Sequence, residues 1–148
     1  MKETTKQDMV VLITGAGKGI GRAVAETLAR RAEAAGSPLS LYLAARTRSD
    51  LESLKAQLDS SVVRCDLIAG DLAEAPTEPV EACLARYGRI DALIHCAGVG
   101  RFKDFLEQTP EDLEFTIKIN VTATFLLLQR AYAVMRAQSP REGMRGQI

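Results

Sequence analysis

The sequence lacks a net charge, a long apolar run and any paired-cysteine motif, and each absence excludes something. Its 19 basic and 19 acidic side chains cancel over 148 residues, so no bulk field draws the chain to nucleic acid or to an anionic membrane. Any partner must be recognised at a local site. Uncharged stretches such as 121–129 are far too short to span a bilayer, and residues 1–8 are polar where a signal peptide would be apolar, so a cytoplasmic chain with no membrane partner is expected. Cys65, Cys83 and Cys96 are odd in number and show no Cys-x-x-Cys spacing, which argues against a disulfide framework and against a zinc site; no metal is expected. They read as reduced thiols, most of them buried. No internal repeat, low-complexity segment or composition shift divides the chain. With 47% apolar and 26% charged side chains, a single domain spanning 1–148 is expected.

What is present is a regular alternation of strands and helices. Residues 10–14, Val-Val-Leu-Ile-Thr, form a short apolar run that stops at glycine, the pattern of a strand buried on both faces. Ile20, Val24 and Leu28 recur every fourth position and predict a long first helix, stopped by Gly36 and Pro38. Residues 39–45 predict a second strand, and Ser49-Asp50-Leu51-Glu52 reads as a capping box opening a helix that carries Leu51, Leu54 and Leu58. Residues 65–70 predict a weaker third strand ending at Asp71. Pro76 and Pro79 break the chain, and 80–87 predicts a short helix closed by Gly88. Residues 91–96 predict a fourth strand before Ala97-Gly98. Thr109 as N-cap, Pro110 at the first helical position and Glu111-Asp112 in the first turn predict a helix over 110–137, followed by a loop over 138–145. This pattern implies an α/β fold of βαβ units: a three-layer, Rossmann-type parallel sheet in the order 3-2-1-4. A ligand is expected over the carboxyl ends of the first and fourth strands, where the strand order reverses.

Between the first strand and the first helix lies Gly15-Ala16-Gly17-Lys18-Gly19-Ile20-Gly21. A diphosphate at a helix N-terminus needs free backbone N–H groups, the positive end of the helix dipole and no Cβ where backbone meets ligand. Gly15 suits the tight turn, Gly19 the close approach of a pyrophosphate, and Gly21 the packing of helix against strand, with Gly17 adding further freedom. The Gly-x-x-x-Gly-x-Gly spacing differs from the commoner Gly-x-Gly-x-x-Gly, because Ile20 holds that pattern's last position. A P-loop is excluded: Lys18 is followed by Gly19 instead of Ser or Thr, and Leu12 stands where the first P-loop glycine belongs. At the end of the second strand an acid would bond a ribose 2′-hydroxyl and a base would accommodate a 2′-phosphate. That position is Arg46. With Lys18 in the turn it favours NADP(H), with NAD the weaker alternative; Arg48 reads as a third phosphate cation or as a solvated surface charge. Asp50 is already accounted for by the capping box.

Thr14 to Gly21, together with Cys96-Ala97-Gly98 and Asn120, resembles the short-chain dehydrogenase/reductase family over the whole chain. Within it, the segments 97–102 and 109–125 and the loop 32–40 are most similar to the sepiapterin-reductase branch. The resemblance implies that Asp71 and Leu72 contact the adenine, although Asp71 reads equally as a helix N-cap. It implies that Cys96, Ala97 and Gly98 line the nicotinamide side. Asn120 would be the catalytic, helix-kinking asparagine that holds a water in the family's proton relay, with a local backbone bond as the alternative. The same helix, 110–137, would pack across a homodimer interface.

Two departures stand out. The family's paired asparagines before Ala-Gly are replaced by His95 and Cys96, which predicts a looser loop, since a cysteine is only a weak donor and acceptor. His95 reads as a packed strand-end residue rather than a base. The family's serine and Tyr-x-x-x-Lys are absent: Tyr132 is followed four residues on by Arg136, whose fork cannot replace a compact ammonium. Gly146-Gln147-Ile148 resembles the first residues of a fifth strand. The expectation is therefore the NADP(H)-binding portion of a reductase of small-molecule carbonyls, with the C-terminal part of the fold missing and the chain inactive alone. The alternatives are a naturally short, non-catalytic dinucleotide-binding or interaction module, and a truncated inactive gene product.

Overall fold

The computed structural model describes residues 8–148; residues 1–7, most of the polar N-terminal stretch noted above, lie outside the described residues. Four parallel strands, β1 (Met9–Thr14), β2 (Leu39–Ala45), β3 (Val63–Ala69) and β4 (Ala92–His95), form one sheet in the order β3-β2-β1-β4. β1 and β2 are buried along nearly their whole length, as helices on both faces require. Because successive strand residues point to opposite faces, β1 feeds two cores. Val11 and Ile13 pack with Leu41, Leu43, Leu51 and Leu54 on one face, and Val10 and Leu12 pack with Val80, Leu93, Leu127 and Ala131 on the other. This is the expected Rossmann-type arrangement.

The helices show where periodicity misleads. α1 (Gly19–Ala35) buries Gly21, Ala25, Ala29 and Ala32 most deeply; of the predicted stripe, Val24 and Leu28 pack against the same core, and Ile20 is left 77% exposed. Small residues win that face because the helix lies close on the sheet: a Cβ on Gly21 would collide with the Gly15 carbonyl oxygen. α2 (Arg48–Leu58) buries Leu51, Leu54 and Leu58 as expected, but it starts at Arg48 behind Thr47, with no side-chain cap. The predicted capping box is not formed: with Thr47 as N-cap, Ser49 lies inside the first turn, and the Glu52 carboxylate pairs with Arg48 at 3.7 Å instead of reaching back to the helix start. α3 (Glu78–Tyr87) begins two residues before the prediction, with Pro79 inside its first turn, where proline's missing N–H costs nothing.

The predicted helix over 110–137 consists of α4 (Pro110–Ile117), a π-helical segment over Lys118–Ala123 and α5 (Thr124–Ala137). Its start is the expected one: the Thr109 hydroxyl accepts from the Asp112 N–H, and the Asp112 carboxylate accepts from the Thr109 N–H, at 3.3 and 3.2 Å. At the far edge of the sheet, Gln147 pairs parallel with Ala92. Its N–H donates to Asp91 O at 3.0 Å and its carbonyl accepts from Leu93 N–H at 2.9 Å, the first rungs of the expected fifth strand. No helix among the described residues is long and apolar enough to cross a membrane. Cys65 and Cys83 are buried, and burial pushes both thiols up to about 12; Cys96 is half-buried.

Candidate cofactor-binding site

β1 and β4 are neighbours whose following segments leave in opposite directions, and a cleft of about 280 Å³ opens at their carboxyl ends. Every strand of the sheet contributes to it. The turn after β1 supplies Gly15, Gly17 and Lys18, the end of β2 supplies Arg46, the end of β3 supplies Asp71 and Leu72, and the end of β4 supplies Cys96, Ala97 and Gly98. These nine residues, scattered over more than eighty positions of sequence, are the ones the sequence singled out.

Three other predicted residues stand beside the cleft without lining it. Gly19, Ile20 and Gly21 form the first turn of α1, whose first return bond is Arg22 N–H to Lys18 O at 3.5 Å. The preceding amides therefore point out of the helix end, where the dipole is positive. Gly19 has φ +55° and open space around its missing Cβ. Gly15 is the opposite case: at φ +68°, a Cβ would sit 2.6 Å from Ala97 N and 2.7 Å from Cys96 O. The β1 turn and the β4 loop touch there, backbone to backbone.

The cations divide. Arg46 is exposed at the cleft mouth, whereas Arg48 pairs with Glu52 at 3.7 Å, with 63% of its side chain exposed, and is a surface charge. Asp71 does not cap a helix, since α3 starts at Glu78; its Oδ1 accepts from Ala73 N–H at 2.9 Å and closes a turn. Asp50, Glu78, Pro79, Val99 and Ile119 also line the cleft. Their local patterns are those of a helix cap, a chain break and helix interior, so only tertiary packing could have placed them.

Asn120 faces the other side of the β4 loop, in a second opening with His95 and Phe102. Its Oδ1 accepts from Val99 N–H at 2.9 Å and its Nδ2 donates to Val99 O at 2.7 Å. The partner is a loop 21 positions away, so a purely local backbone bond is not what this side chain makes. The π segment matters here because its extra residue per turn redirects side chains. The Thr124 hydroxyl supports it, donating to Ile119 O at 3.2 Å.

Where a looser loop is expected, His95 is hydrogen-bonded at both ring nitrogens, and Cys96 is held through its backbone N–H to Thr14 O at 3.1 Å. With its proton committed to Ile119, the Thr124 hydroxyl accepts from His95 Nε2–H at 2.9 Å, and His95 Nδ1 accepts from the Thr14 hydroxyl at 2.6 Å. An imidazole thus ties the end of β1 to the π segment, and Asn120 ties the loop beyond it. His95 is half-buried, a packed strand-end residue as expected.

Burial holds the His95 imidazole below its ordinary value of 6.5. On acidification the unfolded chain therefore takes up this proton first, and stability from the site is complete above about pH 6.5 and lost as pH falls through the folded-state value. His95→Gln, which keeps neutral hydrogen bonding, is expected to flatten the fall in melting temperature between about pH 7 and pH 5. Thermal melts across that range check it; parallel profiles for the two proteins would exclude the effect.

A parallel sheet with a glycine turn, a basic β2 end and a cleft at the strand-order reversal is the arrangement at which open α/β sheets take dinucleotides. The short chain dehydrogenase family model matches residues 9–148, and the chain belongs to that family of nicotinamide-dinucleotide oxidoreductases. It is 39% identical to sepiapterin reductase of Chlorobaculum tepidum, over 87% of this chain and 54% of that protein. It is 34% identical to L-rhamnose-1-dehydrogenase of Scheffersomyces stipitis, over 87% and 50%. Among solved structures, the Thermococcus sibiricus alcohol dehydrogenase complexed with 5-hydroxy-NADP superposes with a TM-score of 0.76 at 29% identity, over 88% of this chain and 54% of that one. The 3-oxoacyl-[acyl-carrier protein] reductase of Brucella melitensis in complex with NAD superposes with a TM-score of 0.75 at 26% identity, over 93% and 53%. The chain spans about half the length of the relatives it matches.

Proposed function

We propose that residues 1–148, as one domain, are the NADP(H)-binding portion of a reductase of small-molecule carbonyls, with a pteridine side-chain ketone as the preferred substrate class. The carrying observation is the cleft that joins the β1 glycine turn to Arg46. The residues fit a dinucleotide. Open space stands where Gly19 lacks a Cβ, the first-turn amides of α1 point outward for a pyrophosphate, and Lys18 and Arg46 flank the end where a 2′-phosphate belongs. The substrate class rests on the similarity to sepiapterin reductase.

The bound cofactor supplies the hydride. The chain's own residues hold and orient it: Asp71 and Leu72 at the adenine, Gly17, Gly19 and Ile20 at the pyrophosphate, with Gly21 packing α1 against the β1 turn, and Cys96, Ala97 and Gly98 at the nicotinamide ribose. Asn120 fixes Val99 from the far side and, as the family's resemblance implies, holds a water for proton transfer. The 148 residues contain no Tyr-x-x-x-Lys, so binding, and not turnover, is assigned to them. Gln147, paired beside β4, supports a portion of a wider sheet over a self-contained module. A homodimer is part of the proposal. Ile117, Val121 and Phe125 form a helical stripe that is 45%, 59% and 61% exposed, more apolar surface than a lone helix face usually leaves in water.

Titration of the 148-residue chain with NADPH and NADH, followed by cofactor fluorescence, tests the reading. NADPH is expected to bind about tenfold more tightly. Equal affinities would overturn the choice of NADP, and failure to bind either would overturn the function. With NADPH and a dicarbonyl the chain alone is expected to give no oxidation of the cofactor.

A further inference from the structure

We infer that Asp50 tunes the choice between the two dinucleotides by occupying Lys18, so that discrimination in favour of the 2′-phosphorylated form is weaker than the two cations of the site would give. The inference rests on the NADP reading above and concerns a residue that reading does not use.

Asp50 sits in the first turn of α2, where a carboxylate ordinarily caps the helix or faces solvent. Here it does neither. Its side chain is only 26% exposed, against 81% for Lys18, and its Oδ2 lies 3.4 Å from Lys18 Nζ. Its position is enforced from two sides. A Cβ on Gly17 would lie 3.2 Å from Asp50 Cβ and 3.7 Å from Asp50 Oδ2, so the glycine turn packs directly against the Asp50 side chain. Arg22 reaches back to the Asp50 carbonyl at 3.5 Å while its other nitrogens hold Glu26 and Gln57, which anchors the first turn of α2 against α1. Asp50 lines the cleft beside Arg46. Asp71 and Glu78 line it too, but from the end of β3, where Gly70 packs against the Glu78 carboxylate. Asp50 is thus the carboxylate placed on the cation side of the cleft.

Two consequences follow from charge alone. A 2′-phosphate carries between one and two negative charges near neutrality and must take Lys18 from Asp50 before it can use it. A ribose 2′-hydroxyl has no such conflict, since a nearby carboxylate is the acceptor it ordinarily finds. The same side chain therefore opposes one cofactor and accommodates the other. Gly17 is part of the device, because any larger residue there would displace Asp50.

The test uses the full 148-residue chain and direct binding of NADPH and NADH to wild type, Asp50→Asn, Lys18→Ala, the double variant and Arg46→Ala. Asp50→Asn is expected to raise the NADPH-to-NADH affinity ratio about fivefold, the size of a broken surface ion pair in competition. In the Lys18→Ala background the same change is expected to move the ratio less than about twofold, because the cation it withholds is gone. An unchanged or lowered ratio in Asp50→Asn would overturn the inference; a lowered one would mean that Asp50 presents Lys18 to the phosphate. Should Asp50→Asn not fold, Asp50→Ser carries the same comparison. The underlying reading fails separately. If Arg46→Ala leaves NADPH binding intact, the phosphate is not held at this end of the cleft, whatever Asp50 does.

Discussion

Gly15→Ala is expected to cost about 3 kcal/mol of stability and to lower the melting temperature by about 10 °C. Two effects add. An alanine at φ +68° carries about 1–2 kcal/mol of backbone strain. Its Cβ would also lie 2.6 Å from Ala97 N and 2.7 Å from the carbonyl of Cys96, and backbone cannot step aside as a flexible side chain can, so overpacking adds about 1–3 kcal/mol. The wound lies where β1 and β4 meet, so the cleft should open along that seam and dinucleotide binding should fall with stability. Gly19→Ala is the control. Its φ is similar at +55°, but nothing lies within 4 Å of the added carbon, so about 1 kcal/mol of strain is the whole stability cost. Binding should suffer more than folding there, because the methyl group enters the space assigned to the pyrophosphate. Thermal melts and NADPH titrations of both variants separate the two. A Gly15→Ala protein melting within about 2 °C of wild type would show that the contact relaxes without cost.

Arg46→Ala is expected to weaken NADPH about thirtyfold, or about 2 kcal/mol, with NADH changed by less than about twofold. The size follows from losing a charge-assisted hydrogen bond to a phosphate, and the selectivity follows from the phosphate being the only difference between the ligands. Stability should hardly move, since Arg46 is exposed at the cleft mouth. Arg48→Ala provides the contrast. Its guanidinium is directed to Glu52, and its removal should leave both affinities near wild type. A common loss of NADPH and NADH in Arg46→Ala would mean that the residue shapes the cleft generally and does not read the 2′ position.

How much of the fold and of the site is legible in the sequence varies by element. β1 is legible because a short apolar run ending at glycine has few other meanings in a chain of this size, and β2 because a mostly apolar, strand-length run follows the Gly36 and Pro38 stop; it falls on 39–45 as predicted. The strand order followed from handedness once the alternation was clear. α1 is legible in extent and only in part in face. Val24 and Leu28 pack against the core as expected, while Ile20 is exposed and the most buried positions go to Ala25, Ala29 and Ala32, because close approach to the sheet selects against bulk. Asp50 was misread for a related reason. A capping motif is a local regularity, but the helix starts one residue before Ser49, at Arg48, and Asp50 faces Lys18 across the contact between helix and glycine turn. His95 and Cys96 looked like a weak point, since a cysteine cannot do the work of an asparagine. The restraint came instead from hydroxyls at Thr14 and Thr124, 81 and 29 positions away.

The sequence by itself determined which backbone groups could meet a phosphate, which cation stands at the end of the second strand, and the order in which the strands assemble. Each depends on a residue's own conformational freedom, its charge, or the chirality of a crossover, and all three are properties of the chain before it folds. Tertiary structure alone decided which residues of α1 are buried most deeply, what Asp50 and His95 bond, and how Asn120 reaches Val99 through a π-helical turn. Those outcomes depend on the distance left between packed elements and on polar groups that must find partners once water is excluded, and neither quantity exists until the sheet and its helices are together.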